Sequence, residues 1–316
     1  MKNWSSTDGL LRSECPWLED RREALRVAAF LGIPLHTFDF EKEYQDRVLE
    51  YFFKDYAAGR TPNPDVMCNK EIKFKLLYDQ AIQMGFDFLA TGHYAQIKDR
   101  RLLRAKDEFK DQTYFIYSIR PEQLDHLRFP IGGYLKSDVR KMARKFGLPN
   151  AERKESMGLC FVGKIQLERF LQQRIKPKPG KILSSGGREL GTHQGIFNYT
   201  LGQRAGLKIG GSGPYYVVKK ELSTNTLVVS KEFKAPELML SNVEIEDINW
   251  LAKPAKLPLR CKARFRHQQE LEDVELISGQ KGRLNVKFER LQRAAAPGQS
   301  LVLYSGRICL GGGIML

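Results

Sequence analysis

At Lys176-Pro177-Lys178-Pro179-Gly180 the chain changes character, and that change constrains its fold more than any other feature. Two prolines two apart fix φ and remove amide donors, so neither a helix nor a central strand runs through them. From 19 to about 105 helical and strand patterns alternate, 106–155 reads as mostly helical and strongly charged, and the character changes after Phe170. From 181 onward short β-type runs separated by Gly, Asn and Ser dominate, such as 215–219 and 226–229 around Ser223-Thr224-Asn225. A tail of short strands over 238–316 fits a small β-barrel.

The first part reads as α/β. A charged helix over 19–31 ends at Gly32, residues 33–40 are expected as a buried strand, and Tyr44, Val48, Phe52 and Tyr56 fall four apart on one helix face. Gly59-Arg60-Thr61-Pro62-Asn63-Pro64-Asp65 breaks the pattern, and the helix is expected to resume after Asp65 with Phe74, Leu77, Ala81 and Met84 on its apolar side. A short apolar strand over 86–91 runs into Gly92-His93-Tyr94, the carboxyl end where open α/β sheets bind ligands. Lys136, Arg140, Lys141, Arg144 and Lys145 crowd a helix over 137–147, which suits a solvated face and an RNA-facing surface equally.

The 316 residues suffice for two or three cores, and 42% hydrophobic content excludes a disordered tail. No run reaches the roughly 18 apolar residues of a membrane span. A formal charge of +15 predicts salt-sensitive affinity for polyanions. The five cysteines are scattered without a CxxC pair, which argues against a disulfide scaffold or structural zinc.

Thr61-Pro62-Asn63-Pro64-Asp65-Val66-Met67-Cys68-Asn69 is the most informative stretch. A cysteine in the first turn of a helix feels the positive end of the dipole, which stabilises thiolate. The alternative is that Asp65 caps the helix and Cys68 is a small buried residue. Cys160, in Gly158-Leu159-Cys160-Phe161-Val162-Gly163, reads by itself as a core cysteine. Cys15, Cys261 and Cys309 read as structural.

Met1-Lys2-Asn3-Trp4, the stretch from Thr61 to Asn69, Thr91-Gly92-His93-Tyr94-Ala95, Lys110-Asp111-Gln112-Thr113-Tyr114-Phe115, the Cys160 segment and Thr200-Leu201-Gly202-Gln203-Arg204 occur in an order that resembles the tRNA-specific 2-thiouridylases, over essentially the whole chain. The resemblance implies an N-type ATP pyrophosphatase domain with a parallel sheet (1–165), a small central tRNA-binding domain (166–232) and a C-terminal β-barrel (233–316). It implies ATP with Mg2+, a tRNA with a wobble uridine as substrate, and a persulfide donor such as a cysteine desulfurase or sulfur-relay protein. The family places the persulfide on the residue matching Cys160, lets the one matching Cys68 complete transfer through a disulfide, and gives Asp65 the proton movements. It further implies base or tRNA contacts from Asn63, Pro64, Asp65, His93, Lys110, Asp111, Gln112, Arg264, Phe265 and Gln299. Met1 and Gly92 match positions at the ATP adenosine. For His93 a local hydrogen bond at the strand end is the alternative.

The family opens with a strand and Ser-Gly-Gly-x-Asp-Ser, whose amides hold pyrophosphate. Here Met1-Lys2-Asn3-Trp4 matches a later segment, so the sequence is expected to begin beyond that loop and to be inactive without it. Ser184-Ser185-Gly186-Gly187-Arg188 lies past the linker and reads as a hairpin turn. The two functions carried forward are ATP-dependent 2-thiolation of the wobble uridine and, alternatively, tRNA binding without catalysis. A bacterial cytoplasm is the expected compartment, with mitochondria, suggested by Glu155-Ser156-Met157-Gly158, as the alternative.

Overall fold

The computed structural model describes residues 1–4, 16–153, 167–204, 206, 207, 209, 214–252, 254 and 256–316. A helix at Pro16–Leu31 stops at Gly32, whose φ of +65° suits glycine at a helix end. The helical run over 41–57 buries Tyr44, Val48, Phe52 and Tyr56 as the four-residue spacing predicts. They meet Cys68, Ile72, Phe170 and Leu171 in one cluster, where the Phe52, Phe53, Tyr56 and Phe170 rings pack largely edge to face.

Two expectations fail here. The strand at 33–40 reduces to one parallel bridge between Lys2 and Asp39, with Ile33 and Leu35 exposed, because no further ladder covers it among the described residues. The second concerns the face of the next helix. Pro64–Cys68 is α-helical, but Asn69–Leu77 widens to π-helical turns before Tyr78–Gln83 returns to α. More residues per turn shift the phase, so Ile72 and Phe74 are buried while Met84 is 40% exposed.

Strand β1 (Leu89–Ala90) pairs in parallel with β4 (Leu127–Arg128), and between them β2 (Ala95–Lys98) and β3 (Arg101–Arg104) form a hairpin. Its turn, Asp99-Arg100, takes φ of 50° and 58°, the left-handed pair that matches strand twist. Gly132 lies so close to β2 that an added Cβ would sit 1.6 Å from the Ala95 carbonyl oxygen, which leaves no room for any other residue.

Beyond the linker, β5 (Gly180–Ser184), β6 (Glu189–His193), β7 (Tyr216–Glu221) and β8 (Thr226–Ser230) form a sheet in the order β6-β5-β8-β7. The Ser185–Arg188 segment is the hairpin turn expected of it. The last part comprises β9 (Met239–Trp250), β10 (Leu259–Arg264), β11 (Glu272–Ser278), β12 (Leu284–Arg293), β13 (Ser300–Ser305) and β14 (Ile308–Met315). Their order β13-β10-β11-β12-β9-β14 closes through β13–β14 pairing into a barrel filled by Ile245, Leu276, Val286, Leu301 and Leu303. The expected α/β part, central unit and barrel are thus all present. β3 also bonds to β14, through Leu103 opposite Ile308, so the first part's hairpin extends the barrel's sheet.

Candidate functional site

The stretch between Thr61 and Cys68 is held by the barrel. The Thr61 amide donates to the Pro297 carbonyl at 2.8 Å, and Gln299 Nε2 donates to the Thr61 carbonyl at 2.6 Å. Thr61 Oγ1 lies 3.2 Å from Thr200 Oγ1 of the central part. Asn63 caps the helix, its Oδ1 accepting from the Val66 amide at 3.3 Å, and Pro64 takes the first helical position, where no amide is needed. The cap is therefore Asn63 and not Asp65, and the helix starts before Asp65. Asp65 sits in the first turn, where the helix dipole favours its negative charge. Cys68, at the far end of this short helix and fully buried in the aromatic cluster, lies beyond the reach of that effect. The first-turn thiolate argument is thereby corrected.

The Lys110–Phe115 stretch locks the first part to the barrel. Asp111 and Arg264 are 1% and 2% exposed, and Arg264 Nη2 donates to Asp111 Oδ2 at 2.5 Å. The carboxylate also accepts from the Ala105 amide and the Thr113 hydroxyl, while Arg264 Nε donates to the Tyr304 hydroxyl at 3.1 Å. Such a pair holds only because its remaining donors and acceptors are met. The Tyr114 hydroxyl, near the carbonyls of Phe265 (3.0 Å) and Ser300 (3.2 Å), adds a second tie. Gln112 exchanges bonds with Tyr94, accepting its amide at Oε1 and donating its own amide to the Tyr94 carbonyl, both at 2.9 Å. The side chains of Asp111, Arg264 and Phe265 are thus enclosed by protein, and their geometry makes them joints between parts of the molecule. Asn63, Pro64, Asp65, Lys110, Gln112 and Gln299 keep partial exposure.

A cleft of about 440 Å³ opens where the three parts meet, lined by Thr61, Thr200 to Gln203, Phe265, Arg266, Arg293, Ala294, Ala296 and Gln299. Arg266 Nη2 donates to the carbonyls of Arg293 and Ala294, and the Arg293 guanidinium lies 3.9 Å over the Phe233 ring. Burial, then the neighbouring Arg293 charge, lowers the Arg266 pKa. Sequence reasoning did not single out these two arginines. Thr200 and Gln203 were visible as part of a motif, without a role.

His93 is buried between Phe74 and Phe129, with Nδ1 2.7 Å from Thr91 Oγ1. Burial, and secondarily the Lys73 charge, pushes its pKa down to about 3, so it is a neutral ring at physiological pH. The local hydrogen bond left open from sequence is therefore present. Gly92 beside it is exposed, and a Cβ there would meet nothing within 4 Å, which leaves an open approach at the carboxyl end of β1. Met1 packs against the aromatic cluster.

Cys15 and Cys160 lie outside the described residues, as does the Glu155–Gly158 segment. Burial pushes both Cys261 and Cys309 up to about 12, which suits structural thiols. In the helix Lys136–Lys145, Arg144 pairs with Glu152 at 2.6 Å, Lys141 faces Asp138, and Arg140 bonds the carbonyls of Ala151 and Arg153. Those cations are engaged within the protein. Among the described residues no group of three His, Cys, Asp or Glu could hold a metal ion, and no helix is long and apolar enough to cross a membrane.

The sequence model described as a tRNA methyl transferase HUP domain matches residues 1–164. A tRNA methyl transferase PRC-barrel domain matches 168–231, and an aminomethyltransferase beta-barrel domain matches 241–315. The chain is 44% identical over 321 residues to the tRNA-specific 2-thiouridylase MnmA of Shouchella clausii (strain KSM-K16), covering 100% of this chain and 88% of that protein. It is 44% identical over 328 residues to the protein of the same name from Lactococcus lactis subsp. lactis (strain IL1403), covering 100% and 86%. With its counterpart from Streptococcus sanguinis (strain SK36) it shares 43% over 327 residues, covering 100% and 87%.

Proposed function

The chain belongs to the tRNA-specific 2-thiouridylase family, and from that premise we propose that it transfers sulfur to the C2 position of a wobble uridine in tRNA, using ATP. The observation that carries this reading is the Thr61–Cys68 stretch, suspended from the barrel's Gln299 at the edge of a cleft that all three parts line. A chain with a formal charge of +15 suits a polyanionic substrate.

The C2 carbonyl of uracil is a poor electrophile, so its oxygen must become a leaving group. ATP, when bound, supplies the adenylyl group that makes it one, with Mg2+ carried on its phosphates rather than in a protein cage. Gly92, open at the strand end, and Met1 are the residues assigned to the adenosine. Asn63 and Pro64 border the base, and Asp65 takes and returns its proton. In the proposed order the terminal sulfur of a Cys160 persulfide attacks C2 and AMP departs with the oxygen. The Cys68 thiolate then attacks the Cys160 sulfur, breaking the S–S bond so that sulfur stays on the base and a Cys68–Cys160 disulfide remains. A thiol reductant resets the pair, and a persulfide-bearing protein recharges Cys160. Because Cys68 is fully buried, this step requires its surroundings to open. The bacterial relatives favour a cytoplasmic setting.

The test is to incubate the protein, preceded by the family's strand and Ser-Gly-Gly-x-Asp-Ser loop, with ATP, a persulfide donor and an unmodified tRNA carrying a wobble uridine, and to follow AMP and 2-thiouridine by mass spectrometry. Thiolation that needs ATP and vanishes in both Cys68→Ser and Cys160→Ser is expected. Full activity in Cys68→Ser would overturn the disulfide step.

A further inference from the structure

Phe109 is 81% exposed, more than any other large hydrophobic side chain among the described residues. Its backbone is held on several sides. The Lys110 amide donates to the Asp107 carbonyl at 3.1 Å, closing a tight turn, and the Lys106 amide donates to Gly132 at 2.9 Å. Asp107 Oδ2 accepts from the Lys136 amide at 2.9 Å, and Gln268 Nε2 of the barrel donates to the Phe109 carbonyl itself at 3.3 Å. A chain that spends four hydrogen bonds fixing a turn and leaves a phenyl ring in water at its tip is presenting that ring. Two other exposed rings are covered by cations: Arg128 lies 3.9 Å over Phe88, and Arg293 lies 3.9 Å over Phe233.

The surroundings indicate what the ring meets. Lys106 and Lys110 flank it in sequence, Gln268 brings the Arg266-His267 loop beside it, and Glu108 is drawn toward Arg104 at 3.5 Å. A fixed aromatic face bordered by cations is the chemistry that binds an unstacked nucleobase, with the ring under the base and the cations toward phosphate. Because the turn is already ordered, stacking costs little conformational entropy. We propose that Phe109 is a stacking platform for an unpaired base of the RNA substrate, at the seam between the first part and the barrel. This rests on the tRNA reading above.

The test is equilibrium binding of a labelled tRNA to the protein and to Phe109→Ala, Phe109→Leu and Phe109→Trp across a salt series. Phe109→Ala is expected to bind roughly tenfold more weakly, Phe109→Leu to stay weak, and Phe109→Trp to bind within about twofold of the parent. The slope against log salt should not change in Phe109→Ala, because no phosphate contact is lost. Melting temperatures should agree across the set, and a large drop in Phe109→Ala would make the ring structural and sink the proposal. Unchanged affinity in Phe109→Ala would overturn stacking, as would full affinity in Phe109→Leu, which points to a generic apolar contact such as a protein partner. If the parent binds tRNA no better than heparin at matched salt, the tRNA reading fails and the proposal with it. A parent that prefers tRNA over heparin, with tRNA affinity undiminished in Phe109→Ala, removes the proposal alone.

Discussion

The two sheets on which the site depends are built very differently. The barrel closes on itself with strands of up to 12 residues and a filled interior, whereas β1 and β4 pair over two residues each. Phe86 and Phe88, which lead into that small sheet, are exposed, as are Ile33 and Leu35. The candidate catalytic stretch belongs by sequence to the α/β part but takes its backbone bonds from Pro297 and Gln299 of the barrel. The more extensively paired partner therefore sets the geometry, and chemistry in one part depends on the integrity of another.

The sharpest way to break this dependence is at the buried ion pair. Arg264→Leu takes from the Asp111 carboxylate its hydrogen-bonded cation and leaves it only Arg104 Nε at 3.7 Å, and is expected to cost about 3–5 kcal/mol in urea unfolding, with part regained in Asp111→Asn/Arg264→Leu. If Arg264→Leu unfolds like the parent, the joint between first part and barrel is not where stability resides.

The second test is acid. His93 titrates near 3 when folded and near 6.5 when unfolded, so the unfolded chain binds its proton first. The stabilisation is complete above about pH 6.5 and is lost as pH falls toward about 3, by a few kcal/mol. Measured melting of His93→Gln should fall less steeply over that window than the parent.

Gln299→Ala probes the suspension itself. Losing one hydrogen bond should cost about 1 kcal/mol of stability. Thiolation should suffer more than that loss implies, because the Asn63–Asp65 corner is set by it; equal losses in both assays would separate the barrel from the chemistry. At the other extreme, Ile33→Ser on the exposed face should change stability by less than about 0.5 kcal/mol.

Local chemistry was legible in sequence. The four-residue spacing from Tyr44 to Tyr56, the Ser184–Arg188 turn and the succession of short strands all follow from nearest-neighbour rules, and each is present. What depends on distant partners was not legible. Residues 33–40 have a strand's composition but not a strand's ladder, and the π-helical turns after Cys68 shift a phase that spacing alone assumes constant. The resemblance assigned Asp111 and Arg264 to RNA, and nothing in their sequence surroundings shows that each is buried against the other. At the site, the cap moved from Asp65 to Asn63 because Pro64 satisfies the first helical position, a two-residue difference that takes Cys68 out of the first turn.

Asp111 and Arg264 are 153 residues apart. At roughly 5–20 residues per second of synthesis, the carboxylate emerges about eight to thirty seconds before its guanidinium exists. Leu103 must wait longer still for Ile308 at the last strand. On the ribosome, then, the half of the protein that carries the reactive stretch is made first and finished last, and a nascent chain lacking the barrel should leave the Asp111 segment open to protease until the C-terminus is released.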